Sequence, residues 1–357
     1  MTGELGANQE GLFLTNSVSP VRRGKLYWLK SVVRVLIIGL VALGIWRTWD
    51  HARDAFAASQ FSLSQLDYRW LLVAAACYLA GSLPMCLFWW NTLRALGQRP
   101  GFGETLRAYY VGQLGKYVPG KALVVVIRAG MIRGPRVDTT VAAASVFIET
   151  LTMMAVGAVT AAVILSLLFR HHASMALLAL GLAACAGVPT LPPVFRRVVH
   201  YLQVRRANPQ IDEALRGLNL RLMVTGWLGI GIGWLLFGLS LWATLRATPD
   251  VATLASPLED IALLTACAAL ALIVGFLSLI PAGMGAREWV IATLLVPQYG
   301  PVAGIVSAVL LRVVWMAAEL LCAGLLYAAG PRRSAERTPD VGDQAQLITA
   351  EKKTTAL

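Results

Sequence analysis

Two short segments of the chain place basic residues beside glycine and proline inside otherwise apolar sequence. The first reads Gly-Lys-Tyr-Val-Pro-Gly-Lys over residues 115–121, and an apolar run continues from it to Arg128. Proline removes a backbone donor and glycine loosens the chain, so the segment predicts a break between two helices. The helix that restarts after a break has free N–H groups and a positive dipole end. Such an end, next to lysine or arginine, is suited to binding a phosphate group.

A second segment repeats this arrangement near the other end of the chain. It reads Pro-Ala-Gly-Met-Gly-Ala-Arg-Glu over residues 281–288, and only a short apolar stretch follows it. Arg287 therefore lies at the start of the helix that restarts after the second break. In the helix that restarts after the first break, Lys121 and Arg128 lie near one face. Two facing positive helix ends with these cations would hold a phosphate group near mid-membrane. The alternative for the first segment is an ordinary basic cytoplasmic loop.

Carboxylates also occur inside apolar runs, where a charge is costly. Glu149 lies within the run Ala-Ser-Val-Phe-Ile-Glu-Thr-Leu. A charged side chain at the centre of a bilayer costs about 2.5–3.5 kcal/mol, so this carboxylate must be paired or protonated. A structural ion pair and a role in proton or substrate coupling both fit. Glu288 is expected to pair with its neighbour Arg287, and Glu319 follows Arg312 on a similar helix face.

The candidate site combines the cations near both breaks with these buried ionisable groups. The candidate partners of Glu149 are three arginines: Arg128, Arg287 and Arg312. The side chains predicted to form the phosphate site are Lys116, Lys121, Arg128, Glu149, Arg287, Glu288 and Arg312. The residues predicted to break the helices are Pro119, Gly120, Pro281, Gly283 and Gly285. Cysteine and histidine lack ligand spacing, so no metal and no cofactor are expected.

The composition indicates the class of protein that must position these residues. Of 357 residues, 57% are hydrophobic and 14% are charged, whereas soluble domains average about 45–50% and about 25%. A soluble enzyme and a disordered chain are therefore excluded, and a polytopic α-helical membrane protein is expected. The net charge of +12 comes mostly from residues between apolar blocks, which indicates topology signals and head-group contacts rather than nucleic-acid binding.

The apolar blocks predict an all-α membrane helix bundle. Blocks of span length occur roughly at 26–46, 70–92, 139–168, 175–195, 222–246, 258–280 and 301–329. We expect about six full crossings plus two helix–break–helix hairpins, with 258–299 either two crossings or one re-entrant hairpin. Three crossings separate the two breaks, so the second copy would be upside down. Glycine and proline breaks at matching places in inverted halves are typical of a transporter site.

The distribution of lysine and arginine predicts the orientation and the domains. Basic residues concentrate before the first block, in 94–137 and 196–221, and in the tail, so both termini are expected in the cytoplasm. The sequence divides into a cytoplasmic segment at 1–25, a membrane domain at 26–330 and a disordered cytoplasmic tail at 331–357.

Three motifs together resemble a known family. They are the 115–121 segment with Arg128, the Ala-Ser-Val-x-x-Glu run ending at Glu149, and the Pro-x-Gly-x-Gly-x-Arg-Glu run ending at Glu288. The set resembles the flippase-like membrane domain of lysylphosphatidylglycerol synthases, over roughly residues 30–330. The resemblance implies a multi-pass inner-membrane protein that moves phospholipids or lipid-linked polyprenyl or glycolipid precursors between leaflets. Partner enzymes of lipid or envelope biosynthesis are also implied.

The same resemblance limits the expected activity. No aminoacyltransferase domain follows residue 330, so lysine transfer to lipid is not expected, and the chain is expected not to be an enzyme. The sequence contains no GxxxxGK[ST] phosphate loop, so ATP hydrolysis by this chain is not expected either. Two alternatives to a lipid flippase remain at this point: an integral membrane transferase, and a scaffold of a lipid biosynthetic complex.

Overall fold

A computed structural model of the chain describes residues 66–118, 122–168, 217–248, 257–278 and 280–329, together with a few single positions elsewhere. These residues form α-helices and short 3₁₀ turns and include no strand. The helices are α1 (Tyr68–Ala95), α2 (Phe102–Gln113), α3 (Ala122–Ile132), α4 (Thr139–Leu168), α5 (Leu220–Arg246), α6 (Pro257–Leu277), α7 (Ala286–Tyr299) and α8 (Pro301–Ala329). The expectation of an all-α architecture is confirmed for this part of the chain.

Five of the described helices are long and apolar enough to cross a membrane, namely α1, α4, α5, α6 and α8. The chain is therefore a multi-pass membrane protein. The number of crossings and the re-entrant course of the broken segments remain predictions. The blocks at 26–46 and 175–195, apart from single positions, lie outside the described residues, as do the segments at 1–25 and 331–357.

Polar side chains cap the starts of three of these long helices. Asp67 accepts a hydrogen bond from the backbone N–H of Arg69 at 3.0 Å, at the start of α1. Asp138 accepts from the N–H of Val141 at 2.9 Å before α4. Asn219 accepts from the N–H of Leu222 at 2.8 Å before α5. These bonds satisfy backbone donors that have no partner within the helix, which determines where each helix begins.

Helices α1 and α5 pack with their backbones in close contact. A Cβ atom on Gly233 would lie 2.6 Å from the carbonyl oxygen of Gly81, and a Cβ on Gly226 would lie 2.2 Å from the ring of Phe88. Ser240 also donates a hydrogen bond from α5 to the carbonyl oxygen of Ala74 at 2.7 Å. Small residues let membrane helices approach closely, where van der Waals contact replaces the missing hydrophobic driving force.

Each of the two broken segments contains a described 3₁₀ turn between helices. The first turn, Leu114–Tyr117, follows α2 and precedes α3, and the second, Pro281–Gly283, lies between α6 and α7. In the second break Ala282, Gly283 and Gly285 have φ values of 50°, 68° and 77°, a region that glycine adopts without strain. The two turns contact each other. Both breaks are therefore brought to one place in the bundle.

The close α1–α5 contact makes a testable prediction. Gly233→Ala should lower the free energy of unfolding by about 1–3 kcal/mol, because the added methyl group must push apart two backbones. Gly231→Ala is the matched control on the same helix, since no atom lies within 4 Å of its added Cβ. Thermal unfolding of the two variants in one detergent measures the difference. Equal melting temperatures for the two variants would show that the contact does not constrain the helices.

Candidate functional site

The two broken segments line one cavity of about 400 Å³. Its wall is mostly apolar, and it is formed by residues from both 3₁₀ turns and from helices α1 to α7. Four charged side chains of the described residues line it: Lys116, Arg128, Glu149 and Arg287. A second cavity of about 30 Å³ is lined by Lys116 and Arg287 together with Glu288 and Arg312.

Arg128 and Glu149 form a buried ion pair between α3 and α4. The guanidinium Nη1 of Arg128 lies 2.7 Å from the Oε2 of Glu149, and the two residues are 2% and 1% exposed. The guanidinium also lies 4.0 Å from the centre of the Tyr109 ring and 5.4 Å from that of Trp89. These aromatic faces attract the cation that water cannot reach. Of the three candidate partners of Glu149, the structure selects Arg128.

Glu319 of α8 connects this helix to the first 3₁₀ turn and to α1. Its carboxylate, only 1% exposed, accepts hydrogen bonds from Lys116 and Tyr78, and from Tyr117 at 3.0 Å. Tyr78 in turn stacks on Trp315 of α8, with ring centres 4.4 Å apart. A carboxylate with three donors is satisfied at this depth, because charged hydrogen bonds replace its hydration.

The third ion pair differs from the sequence expectation. Glu288 pairs with Arg312 of α8 at 2.5 Å, not with its neighbour Arg287. Adjacent residues on a helix point in different directions, whereas α7 and α8 pack side by side and bring these two side chains together. The Oε2 atom of Glu288 is buried and has no hydrogen-bond partner among the described residues.

Arg287 is the cation of this group that no described carboxylate pairs. It reaches both cavities, and its Nε is buried without a hydrogen-bond partner within the described part of the chain. The side chain lies against backbone: a Cβ on Gly275 would be 2.5 Å from its Cγ, and one on Gly283 would be 3.0 Å from its Nε. The side chain is therefore held in place by packing, and no described carboxylate forms an ion pair with its guanidinium.

In both broken segments an arginine packs against a glycine of the preceding helix. Arg128 of α3 lies against Gly112 of α2, where an added Cβ would be 2.4 Å from its Cγ, as Arg287 of α7 lies against Gly275 of α6. The same local device occurs twice, once in each broken segment. This likeness supports the repeat that the sequence indicated, although the relative orientation of the halves across a membrane stays a prediction.

The structure brings six of the seven predicted side chains together. Lys116, Arg128, Glu149, Arg287, Glu288 and Arg312 line the two cavities. Lys121 lies outside the described residues, together with the break residues Pro119 and Gly120. Pro281 and Gly283 form the second turn, and Gly285 immediately precedes α7.

The site predicted from the sequence left out the groups that hold these charges in place, although Glu319 was noted on a helix face similar to that of Arg312. They are Tyr78, Trp89, Tyr109, Tyr117 and Glu319. A carboxylate inside an apolar helix is itself a signal, so Glu319 could have been assigned with Glu149. The aromatic residues carried no such signal, because aromatic residues are common throughout the apolar blocks.

Comparison with known protein families finds one match over most of the chain. A family model described as the lysylphosphatidylglycerol synthase TM region matches residues 28–321. No curated protein matches the chain significantly. The matched region contains both broken segments and every charged residue that lines the two cavities.

The buried Arg128–Glu149 pair predicts strongly non-additive effects on stability. Arg128→Met and Glu149→Leu should each lower the free energy of unfolding by about 3–5 kcal/mol, because each leaves one buried charge unpaired. The double variant should recover most of that loss, since it buries no charge. Thermal unfolding of all four proteins gives the coupling energy.

The exposed pair Arg136–Glu104 is the control for this double-mutant cycle. Its atoms lie 3.9 Å apart, and its side chains are 67% and 56% exposed. The corresponding cycle should give a coupling energy of about 0–1 kcal/mol. Additive losses at Arg128 and Glu149 would contradict a direct ion pair.

Proposed function

The chain belongs to the family of the lysylphosphatidylglycerol synthase TM region, and on that premise we propose that it translocates a phosphate-bearing lipid between membrane leaflets. The family and the apolar helices make the chain a membrane protein of lipid biosynthesis. The proposed cargo is a phospholipid or a lipid-linked polyprenyl or glycolipid precursor. Its phosphate group binds in the cavity between the two breaks.

The observation that carries this proposal is the cavity that both broken segments line. Its mostly apolar wall is suited to a lipid chain, while Lys116, Arg128 and Arg287 offer positive charge to a phosphate. Buried cations inside membrane bundles commonly line substrate paths, because a charge at that depth is otherwise too costly. A site with this chemistry fits a lipid better than it fits a fully water-soluble anion.

The arrangement of the two breaks supports a transport mechanism. We infer that the α2–α3 and α6–α7 segments are hairpins that enter from opposite sides, with both chain termini in the cytoplasm of the cell. The two 3₁₀ turns contact each other, which supports a site between two such halves. Rocking one half against the other around a fixed site is how inverted-repeat transporters expose a substrate alternately.

The side chains divide into groups that contact the cargo and groups that position them. Arg287 makes the first contact with the phosphate, because it lines the cavity and no carboxylate of the described residues pairs with it. Lys116 and Arg128 flank it, and Glu319 and Glu149 hold those two cations in place. We assign no catalytic step to the chain. Translocation is driven by an ion gradient or by the gradient of the lipid itself.

Loss of the charge of Arg287 should slow translocation strongly. In proteoliposomes that contain the purified protein, Arg287→Gln should slow dithionite-accessible movement of an NBD-labelled lipid at least tenfold. Two probes are measured: an NBD phosphatidylglycerol and an NBD polyprenyl diphosphate. Arg221→Gln, at an exposed position at the start of α5, is the matched control and should keep the wild-type rate.

Two outcomes would count against the proposal. If Arg287→Gln translocated lipid at the wild-type rate, with equal amounts of protein reconstituted, the proposed site would be wrong but transport would still stand. If both probes moved no faster in wild-type proteoliposomes than in protein-free liposomes, the proposal of transport itself would be wrong. In the second case, copurification with biosynthetic enzymes would favour a scaffold, and turnover of a lipid substrate would favour a transferase.

A further inference from the structure

We propose that Glu319 is a proton-binding site that couples translocation of the anionic cargo to the movement of a proton in the same direction. This inference rests on the proposed function and deepens it, because it names the ion whose gradient drives the lipid. It comes from the hydrogen bonds of Glu319 and from the position of Lys116, which contacts this carboxylate and lines both cavities.

The carboxylate of Glu319 contacts the walls of both cavities through its hydrogen-bond donors. Tyr78 lines the larger cavity, Tyr117 lines the smaller one, and Lys116 lines both. Glu319 itself is only 1% exposed, and Lys116 is the cation with which it forms an ion pair in the described part of the chain. Since the two tyrosines are neutral donors, the ammonium group of Lys116 supplies the charge that balances this buried carboxylate.

Lys116 is able to leave its partner, because it differs in kind from the cations of the other two buried ion pairs around the cavities. Those cations, Arg128 and Arg312, are arginines, whereas the lysine ammonium is a compact charge on a flexible stem. The Lys116 side chain is 18% exposed, and that of Arg128 is 3% exposed and lies over the ring of Tyr109. Lys116 can therefore turn from Glu319 towards a phosphate group in the cavity while the other two pairs stay closed.

Binding of the cargo then changes the state of Glu319. When a phosphate group draws Lys116 away, the carboxylate keeps Tyr78 and Tyr117 as donors but loses its compensating charge. It takes up a proton from water, so that an O–H bond forms on a carboxylate oxygen and the lysine keeps all its own protons. No bond of the lipid breaks, and the anionic group and the proton occupy the site together. Because the coupling is reciprocal, a proton on Glu319 strengthens binding of the phosphate by the same factor.

A route for the proton leads through Tyr117. Its side chain lines the smaller cavity, whose volume of about 30 Å³ is enough for a water molecule. The Tyr117 hydroxyl group donates to the Oε2 atom of Glu319 at 3.0 Å. The hydroxyl group can pass this proton to the carboxylate and accept another from water in the cavity, so the proton reaches Glu319 without exposing it.

Other charged or titratable groups surround this site. Besides Lys116, Tyr78 and Tyr117, the described side chains that act on this group of residues are Arg287 and Glu288 of α7, Arg312 of α8 and Tyr109 of α2. The two arginines attract a negative charge on Glu319, and a bound phosphate group offsets this attraction. Lys121 lies outside the described residues. The coupling depends on the contacts of Glu319 and not on the total charge of the cavity.

Redistribution of a lipid probe by a proton gradient tests the coupling. Full-length protein is reconstituted into liposomes that contain NBD phosphatidylglycerol, with valinomycin and equal potassium on both sides so that no membrane potential builds up. An imposed gradient of about one pH unit should concentrate the probe in the leaflet on the more alkaline side by about threefold to tenfold, since one proton per lipid transmits at most a factor of about ten. Dithionite quenching measures the distribution, and protein-free liposomes under the same gradient should show no change.

A variant that cannot titrate at this position should lose the response. Glu319→Gln removes the titrating group while its amide oxygen still accepts hydrogen bonds, so the final distribution of the probe should be the same with and without the gradient. Because the readout is the final distribution and not the rate, a slower variant is still informative. Glu104→Gln, at a carboxylate whose side chain is 56% exposed, is the matched control and should keep the wild-type redistribution.

Proton uptake on binding is a second measurement, and it serves even if Glu319→Gln does not fold. Purified wild-type protein in a weakly buffered detergent solution is mixed with dihexanoyl phosphatidylglycerol, and the change in pH is recorded. Binding should remove up to about one proton from solution for each lipid bound, because cargo and proton are linked. In Lys116→Met the carboxylate has already lost its cation, so binding to equal occupancy should remove no proton.

The outcomes separate this inference from the proposed function. Translocation by wild type that does not respond to the pH gradient, with no proton uptake on binding, overturns the coupling and leaves the proposed function standing. No translocation of the probe at all overturns both. A response that is lost in Glu288→Gln but kept in Glu319→Gln overturns the assignment of the proton to Glu319.

Discussion

Compensation of buried charge is the constraint on which the centre of this bundle depends. Water cannot hydrate an ion there, so each carboxylate must meet a cation or several donors. The pair Arg128–Glu149 joins α3 to α4, and Lys116–Glu319 joins the first break to α8. These pairs act as cross-links between elements far apart in sequence, so they help determine which elements lie next to each other.

This arrangement also requires glycine at the positions of closest contact. At Gly112 and Gly275 the absence of a side chain leaves room for an arginine stem, and at Gly81 and Gly233 it lets two backbones touch. A methyl group at any of these positions would overlap an existing atom. The same residue type therefore serves helix packing in one place and cation placement in another, and both uses rest on close approach rather than on a special backbone conformation.

The two halves of the site distribute their charges in opposite ways. In the first half the restarting helix carries Arg128 and the next span carries Glu149, whereas in the second half the restarting helix carries Glu288 and the next span Arg312. The second segment adds Arg287 directly before Glu288. Within the described part of the chain this asymmetry leaves Arg287 without an ion-pair partner, and its side chain lines both cavities.

The sequence by itself determined the class of protein, the family, the positions of both breaks and most charged residues of the site. Those features follow from local composition and short motifs. Only the tertiary structure decided the partners, such as Glu288 with Arg312 and Glu319 with Lys116. Pairing depends on which helix faces lie together, and α7–α8 packing does not follow from any local pattern. That Arg287 has no ion-pair partner among the described residues is a property of the whole set of pairs, so no single segment could reveal it.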